Sequence, residues 1–370
     1  MKILLLLIRW FVGLLFIFSG LVKANDPLGL AYKMQEFFEV FGLHSLQDYA
    51  LYFSFLMNVF EIVAGLAVII GWQMKLFSWL LLMLILFFTF LTAYAAFSGK
   101  IKTCGCFGDC IPLTSIQSFM KDLLLLALIL ILFFLQHKIK PGLSPFFSII
   151  LLTIGFISTF SIQFYVLKYL PIVDCLPYKK GNDLLQQMQT PAGTIPDSLA
   201  LNFVYQKNGK TVLFDQAHFP DDFDSSYIYV DRKDVIVKKG NNLQAPISSF
   251  SLQTMNGSDT TKALFETTQF ILLIARDFEA FDSWKISIEN IIEAAHQKKM
   301  PLFIVSADAA TAAEKFPEEI ILKSDATVLK TMARVIPTIY FMQQAKVVKK
   351  FSYAYEKDIL AEISILKKSN

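Results

Sequence analysis

Charge is scarce in this sequence, and its scarcity excludes several classes of protein. Only 18% of the 370 residues are charged, the formal net charge is +3, and no dense cluster of Lys and Arg occurs, so nothing indicates nucleic-acid binding. The chain also lacks a Gly-rich phosphate loop and a credible Ser-His-Asp combination. Its few histidines stand apart from acidic or nucleophilic clusters and are interpreted as surface residues: His44, His137, His218 and His296.

Long apolar runs dominate the first half of the chain. Hydrophobic residues make up 55% of the sequence, phenylalanine alone occurs 36 times, and nearly all of the long runs precede residue 170. A helix that crosses a hydrocarbon core of about 30 Å needs about 20 mostly apolar residues. Five stretches meet this condition, at residues 3–22, 52–72, 76–97, 119–135 and 145–167. The sequence therefore predicts a multi-pass protein in a lipid bilayer.

The first apolar run is interpreted as a retained helix and not as a secretory signal. It is long for a signal core, it contains Arg9, and it carries Gly13, Ser19 and Gly20, small residues that favour helix packing. Loop counts of Lys and Arg do not decide the orientation. A cytoplasmic N-terminus places all four cysteines on a disulfide-permissive side. We therefore expect a multi-pass membrane protein whose residues 170–370 are extracytoplasmic.

Ionisable groups inside the apolar runs need a partner or a task. Arg9 lies in the first run and Glu61 in the second, with Asn58 one helical turn before Glu61. Each such charge costs about 2.5–3.5 kcal/mol on insertion scales. The favoured interpretation is an ion pair between Arg9 and Glu61 that fixes the packing of the first two spans. The alternative is a proton or ligand site beneath the cysteine-rich loop.

Three of the four cysteines lie in one loop between two predicted spans. They are Cys104, Cys106 and Cys110, in the stretch KTCGCFGDC. One interpretation is a redox site, which needs a pair that forms and opens a disulfide. A second is a permanent disulfide that fixes an extracytoplasmic loop, and the pairing of four cysteines stays open. A metal site is the weakest interpretation, because the spacing Cys-x-Cys-x₃-Cys does not match a zinc knuckle.

Three stretches together carry a resemblance to a known family. They are RWFVGLLFIFSGLVKANDPLGLAYKM, NVFEIVAGLAVIIGW and TCGCFGDCIPLT. They resemble the DoxX/MauE membrane family over about residues 1–135, in its longer bacterial form with a soluble C-terminal extension. The resemblance implies a four-helix transmembrane core. MauE relatives are linked to methylamine utilisation and to disulfide formation in a dehydrogenase subunit, and DoxX relatives to a thiosulfate:quinone oxidoreductase.

The segment after the last span is predicted to be a tether followed by a small β element. The tether carries the fourth cysteine, Cys175. Residues 201–214 alternate in polarity around Asn208-Gly209, which is a strong hairpin signal. The stretch YIYVDRKDVIVKKG repeats the strand pattern, and a turn is predicted near residues 231–234.

From about residue 245 the predicted order of strands and helices resembles a thioredoxin fold. Ile336-Pro337-Thr338 resembles its cis-proline turn, which faces the active site in that fold. Where thioredoxins carry Cys-x-x-Cys after the first core strand, this chain has RDFEAF at residues 276–281, with no thiol for disulfide exchange. The resemblance therefore implies a degenerate domain that binds an extracytoplasmic protein client, with Cys175 as its redox partner.

The combined prediction is a membrane α-helical bundle joined to a soluble α/β thioredoxin-like domain that lacks CxxC. The expected parts are a four-helix DoxX/MauE-like transmembrane domain at 1–138, a fifth transmembrane helix at 139–170, the tether and β element at 171–244, and the thioredoxin-like domain at 245–370. The predicted function is thiol–disulfide redox or disulfide maturation of an envelope client. No cofactor is assigned, but a quinone is the expected electron carrier by analogy with other four-helix disulfide-generating membrane proteins.

Two alternative functions stay open at this point. The first is a non-enzymatic membrane scaffold whose disulfides are structural and whose soluble domain binds an envelope protein. The second is a carrier of a small molecule or an ion that uses Glu61 as its intramembrane acid.

Overall fold

The computed structural model of the chain describes residues 2–101, 105–195, 198–207, 209–215, 218–220, 223–238, 240, 243 and 245–365. These residues form two compact units. The larger unit combines Met1–Gly181 with Ser251–Asn370, and the smaller comprises Asn182–Phe250. The candidate residue Cys104 and the turn residue Asn208 lie outside the described residues.

The N-terminal part of the larger unit is a bundle of apolar helices. Its helices are α1 (Lys2–Asn25), α2 (Pro27–Val40), α3 (Ala50–Ile70), α4 (Met74–Ser98), α5 (Ser115–Phe134) and α6 (Pro145–Tyr169). All except α2 are long and apolar enough to cross a membrane, and α3 is extended at its start by a 3₁₀ turn (His44–Tyr49). The five predicted spans are therefore confirmed, and the chain is a multi-pass membrane protein.

Helix α2 lies in the connection between the first two membrane spans and was not predicted from the sequence. Asp26 caps the helix, because its carboxylate accepts a hydrogen bond from the backbone N–H of Gly29 at 3.0 Å. Pro27 occupies the first helical turn, where its missing N–H costs nothing. Leu30 and Phe37 are buried. An amphipathic helix therefore packs over the end of the bundle where α1 ends and α3 begins.

Small residues bring α1 and α3 into close contact. A Cβ atom added at Gly13 would lie 2.7 Å from the carbonyl oxygen of Gly65, and one added at Gly20 would lie 3.1 Å from that of Asn58. Such distances leave no room for a side chain, so the two helices approach with their backbones nearly touching. The packing role predicted for Gly13 and Gly20 is confirmed, and the contacts show that α1 and α3 run antiparallel.

The smaller unit contains a short helix and one antiparallel sheet. Its elements are α7 (Leu184–Met188), β1 (Ser198–Lys207), β2 (Lys210–Asp215) and β3 (Ile228–Lys238), with strand order β2-β1-β3. Lys207 pairs with Lys210, as the hairpin signal predicts. The turn expected near residues 231–234 is wrong, because β3 runs without interruption and pairs along β1.

The C-terminal part of the larger unit is a mixed α/β domain. Its strands are β4 (Phe270–Ile274), β5 (Leu302–Ser306), β6 (Ile320–Lys323), β7 (Thr338–Gln343) and β8 (Lys346–Ser352); its helices are α8 (Thr261–Glu266), α9 (Phe281–Gln297), α10 (Ala309–Lys315), α11 (Ala326–Met332) and α12 (Glu356–Ile365). The strand order is β6-β5-β4-β7-β8, parallel on the β6 side of β4 and antiparallel on the β8 side.

Burial explains why this domain has such a regular core. Every residue of β4 is buried, which is why its sequence is a continuous apolar run and not an alternating one. Trp284 of α9 is only 1% exposed and packs beside Phe281. The peptide bond Ile336–Pro337, between α11 and β7, is cis. The prediction of a soluble α/β domain after the membrane spans is confirmed at this level.

Candidate functional site

One disulfide joins the cysteine loop to the tether. Cys110 and Cys175 are bonded, with their Cα atoms 4.8 Å apart and 65 positions apart in sequence. Both residues are half-buried. The tether is also held to the end of α1, because the Asn25 side chain exchanges two hydrogen bonds with the backbone of Val173, at 2.8 and 3.0 Å. The pairing that the sequence left open is therefore between the loop and the tether.

Cys106 lies one turn before Cys110 in the same loop. The backbone N–H of Gly108 donates to the carbonyl oxygen of Gly105 at 3.0 Å, and both glycines have positive φ angles, which explains their presence here. The hydroxyl of Ser19 on α1 donates to the carbonyl oxygen of Cys106 at 3.1 Å. The loop is therefore attached to the bundle, and it places Cys106 against the interior.

An aspartate precedes each cysteine of the disulfide, and each aspartate is bound by a cation of the α/β domain. Arg334 contacts Asp109, with Nη2 2.7 Å from Oδ2. Lys350 contacts Asp174, with Nζ 2.7 Å from Oδ2. Both cationic side chains are only 5% exposed. The α/β domain is therefore fixed to the bundle through residues directly adjacent to the disulfide.

Arg334 also binds Asp26, the residue that caps α2. Its Nε lies 2.8 and 3.0 Å from the two carboxylate oxygens. Burial alone would lower the pKa of Arg334, but the charges of Asp26 and Asp109 outweigh burial and raise that pKa. At Lys350 burial prevails and lowers the pKa, although Asp174 opposes the shift. Arg334 is therefore a permanent cation that connects α2, the cysteine loop and the α/β domain.

The segment that follows β4 contacts α2. Arg276, two residues after β4, donates to the hydroxyl of Tyr32 on α2. The Tyr32 ring lies 5.3 Å from both the Lys330 ammonium and the Arg334 guanidinium. Cation–π contacts of this kind are each worth about 0.5–2 kcal/mol. This thiol-free end of the sheet is therefore covered by the chain's own membrane part.

An apolar cavity of about 520 Å³ lies beneath the cysteine loop. Residues of α1 to α5 line it, and most of them are Leu, Met and Phe. Its polar lining comprises Ser19, Lys33, Cys106 and two ion pairs, Lys23 with Glu61 and Lys121 with Asp122. The site therefore combines a large apolar volume with a small charged end next to a cysteine.

The ion pair expected between Arg9 and Glu61 is wrong. Glu61 pairs with Lys23, whereas Arg9 donates from Nε to the carbonyl oxygen of Val68 at 3.1 Å and from Nη2 to that of Ile69. The reason is the antiparallel register of α1 and α3, which places Arg9 opposite the last turn of α3. Carbonyl groups there lack helical partners and attract a cation.

Asn58 and Glu61 each have one side-chain oxygen that lacks a hydrogen-bond donor among the described residues. Asn58 donates to the side chain of Gln163 on α6 at 2.9 Å, and both residues are fully buried. Within the described part of the chain, Asn58 Oδ1 and Glu61 Oε2 accept no hydrogen bond. The residue that neutralises Glu61, Lys23 near the end of α1, was not predicted from the sequence.

Metal binding finds no support in the geometry. Among the described residues, no group of three or more His, Cys, Asp and Glu side chains is arranged to hold a metal ion. Cys104 lies outside those residues. The chemistry that this site can perform with its described groups is thiol–disulfide exchange, together with proton exchange at the buried carboxylates.

Comparisons with known proteins agree with a MauE-like membrane part. Residues 1–135 match the family model described as methylamine utilisation protein MauE, and residues 199–239 match a domain of unknown function. Protein TlpB of Flavobacterium psychrophilum is 28% identical over 151 residues, which are 40% of this chain and 41% of that protein. The chain therefore spans about two fifths of the length of this curated relative. No solved structure matches the chain.

Proposed function

We propose that this protein is a membrane thiol–disulfide oxidoreductase that supports disulfide maturation of an extracytoplasmic client protein. The single observation that carries the proposal is the Cys110–Cys175 disulfide with Cys106 one turn away, all at one end of the bundle. The match of residues 1–135 to the model of methylamine utilisation protein MauE supports it.

The proposed reaction is an exchange of disulfides. A thiolate of the client attacks one sulfur of the Cys110–Cys175 bond, and a mixed disulfide forms while the other cysteine leaves as a thiol. The second client thiol then displaces the protein cysteine. The client gains one S–S bond and loses two protons and two electrons, and the protein gains two S–H groups. Cys106 and Cys104 are proposed to accept these electrons next, from a state in which they are joined as a disulfide: their S–S bond breaks and gives two S–H groups, while the S–S bond between Cys110 and Cys175 forms again.

The α/β domain is proposed to be thioredoxin-like and to control access to the bond. The arrangement of its sheet supports this, because β4 has a parallel neighbour on one side and an antiparallel neighbour on the other. Its clamp, defined as the ion pairs of Arg334 with Asp109 and Lys350 with Asp174, lies directly beside both bonded cysteines. In this proposal a client approaches when the clamp opens.

Trapping the mixed disulfide tests the proposal. In native membranes, the full chain with Cys175→Ser or Cys110→Ser keeps one exchanging cysteine, whose thiolate attacks the disulfide of an oxidised client in the reverse of the proposed exchange and releases one client thiol. The mixed disulfide that results lacks the second protein cysteine that would resolve it. We expect a reductant-sensitive, higher-mass species with one of these variants. The matched control is Ser251→Ala, which leaves every cysteine in place.

One observation favours a second candidate function, a non-enzymatic scaffold. The same clamp that controls access could hold the disulfide closed permanently, which is the usual fate of a disulfide in an oxidising compartment. If the bond resists mild reductant in native membranes and all Cys→Ser variants mature envelope proteins like the unaltered chain, the scaffold is correct and the redox proposal fails. Labelling these cysteines from outside intact cells also tests the extracytoplasmic orientation.

A further inference from the structure

The cavity beneath the cysteine loop has the size and lining of a ligand site. Its volume of about 520 Å³ falls in the range of roughly 300–1,000 Å³ that is usual for small-molecule sites. Side chains that line it, such as Leu30, Met34 and Phe37 of α2 and Leu91 of α4, are apolar. A body of hydrocarbon character fits this surface.

The polar end of the cavity has a definite chemistry. Lys121, Asp122, Glu61 and Cys106 all line this cavity, and Lys121 forms an ion pair with Asp122. Glu61 is 1% exposed, and its Oε1 is bound by Lys23, while its Oε2 accepts no hydrogen bond within the described residues. A buried carboxylate oxygen without a donor is costly. A ligand that donates a hydroxyl proton to Oε2 would satisfy it.

The outer wall of the cavity provides a route from the bilayer. Phe53, Phe87 and Phe90 line the cavity and are nevertheless 41%, 50% and 59% exposed. They belong to α3 and α4, which are membrane spans. Surface that is both apolar and exposed on a span faces lipid, so a hydrophobic ligand reaches the cavity sideways without crossing water.

We propose that this cavity binds a lipid-soluble quinone, with its ring at the polar end beside Cys106 and its tail along the phenylalanines. A quinone ring has oxygen atoms that accept hydrogen bonds from ammonium groups such as those of Lys23 and Lys121. The reduced ring has hydroxyl groups that donate to an acceptor such as Glu61 Oε2. No other common membrane component combines an apolar tail with a head that accepts and donates in alternate redox states.

The site assignment deepens the proposed function and rests on it for the electron transfer. Cys106 and a second cysteine, in the dithiol form, lose two electrons and two protons and form one S–S bond. The quinone gains those electrons and protons and becomes a quinol, so two S–H bonds break and two O–H bonds form. Asp122 and Glu61 are buried and line the same cavity as Cys106.

Photolabelling of the full-length protein tests the site directly. The protein is reconstituted in phosphatidylcholine nanodiscs and irradiated with an azido derivative of a short-chain ubiquinone. We expect labelled peptides from α2 and α4, and competition by unmodified decylubiquinone. Leu91→Trp fills the cavity and should reduce labelling about tenfold or more. Leu86→Trp is the matched control, because Leu86 is on the same helix, is 46% exposed and does not line the cavity.

Two further measurements keep the test decisive. Met34→Trp fills the cavity from α2 and should lower the labelling even if Leu91→Trp does not fold. Uniform labelling of all lipid-facing helices, unchanged in both variants, would overturn the site. Mass spectrometry that finds a phospholipid which decylubiquinone does not displace would overturn it as well.

Measurement of the number of free thiols distinguishes a failure of the quinone site from a failure of the proposed redox function. After anaerobic reduction, decylubiquinone should convert about two thiols per chain to a disulfide, measured by mass-tag alkylation. Specific labelling with no change in thiols would leave the quinone site standing and remove the proposed redox function. If mixed disulfides with a client form but no specific labelling is found, the proposed redox function stands and the quinone site fails.

Discussion

Removal of the Arg334 side chain should make the Cys110–Cys175 disulfide much easier to reduce. Arg334→Met preserves most of the side-chain volume but leaves Asp26 and Asp109 without their cation. If the α/β domain shields the bond, the reductant acts mainly on chains in which the clamp is open. The rate of reduction then follows the open fraction.

The expected magnitude comes from the burial of the two carboxylates. Asp26 is 13% exposed and binds Arg334 through both oxygens, whereas Asp109 is 42% exposed. Breaking a buried pair by removal of one partner costs about 3–5 kcal/mol, and an exposed pair about 0–1 kcal/mol. We take about 3 kcal/mol, because both aspartates regain some water when the domain opens. This corresponds to an open fraction about a hundredfold larger.

The assay is a time course of reduction. Full-length protein in nanodiscs receives a mild thiol reductant, and samples are alkylated with a mass tag that shows Cys110 and Cys175 as two newly reactive thiols. The matched control is Lys346→Met, which also removes a cation from the α/β domain, but from an exposed position in β8. We expect the control to be reduced at the rate of the unaltered protein.

The reasoning has a clear point of failure. If Arg334→Met and the unaltered protein lose the disulfide at rates within about threefold of each other, a difference of only about 0.7 kcal/mol, the bond is reachable with the clamp closed. The clamp would then be structural, and the α/β domain would not control access.

Three other changes test the contacts that build the site. Gly13→Ala should lower the thermal unfolding temperature of the bundle, because its Cβ would meet a backbone oxygen at 2.7 Å. Gly155→Ala is the control and should be tolerated, because its Cβ meets only the end of a leucine side chain. Equal effects of the two changes on the unfolding temperature would contradict the packing argument. Gln163→Leu should destabilise the bundle by about 0.6–1.7 kcal/mol, as measured by denaturation in detergent, and a second change, Asn58→Leu, should recover part of the loss. Lys350→Met leaves the tether carboxylate unpaired, so limited proteolysis should cut the tether faster than in the unaltered protein, and an unchanged cleavage pattern would show that the tether is held by its other contacts.

The membrane half was largely predictable because hydropathy is a property of a single segment. A run of about 20 apolar residues specifies a span whatever it packs against. Helix α2 was missed because it is amphipathic and too short to span, although Asp26-Pro27 is a helix-start signal that the sequence displays. Attention to that pair would have found the helix.

The side chains that pair between different helices were harder to predict than the helices themselves. The choice of Arg9 for Glu61 used only depth in the membrane, whereas the actual partner depends on the register of α1 against α3. The close contact of Gly13 with Gly65 fixes that register, and two glycines alone do not identify each other in a sequence. The turn expected at residues 231–234 failed for a different reason: consecutive charged residues in the sequence look like a turn, but here they lie in β3, where Asp231 and Arg232 are exposed.

The disulfide also constrains how the chain can be inserted into the membrane. Between Cys110 and Cys175 lie two spans, α5 and α6, so the two sulfurs share a face when both helices have crossed and lie on opposite faces when only one has. A chain in which only one of them has crossed cannot form the bond. Closure of this bond therefore excludes a half-inserted last hairpin, and it can do so before Arg334 and Lys350 have been synthesised.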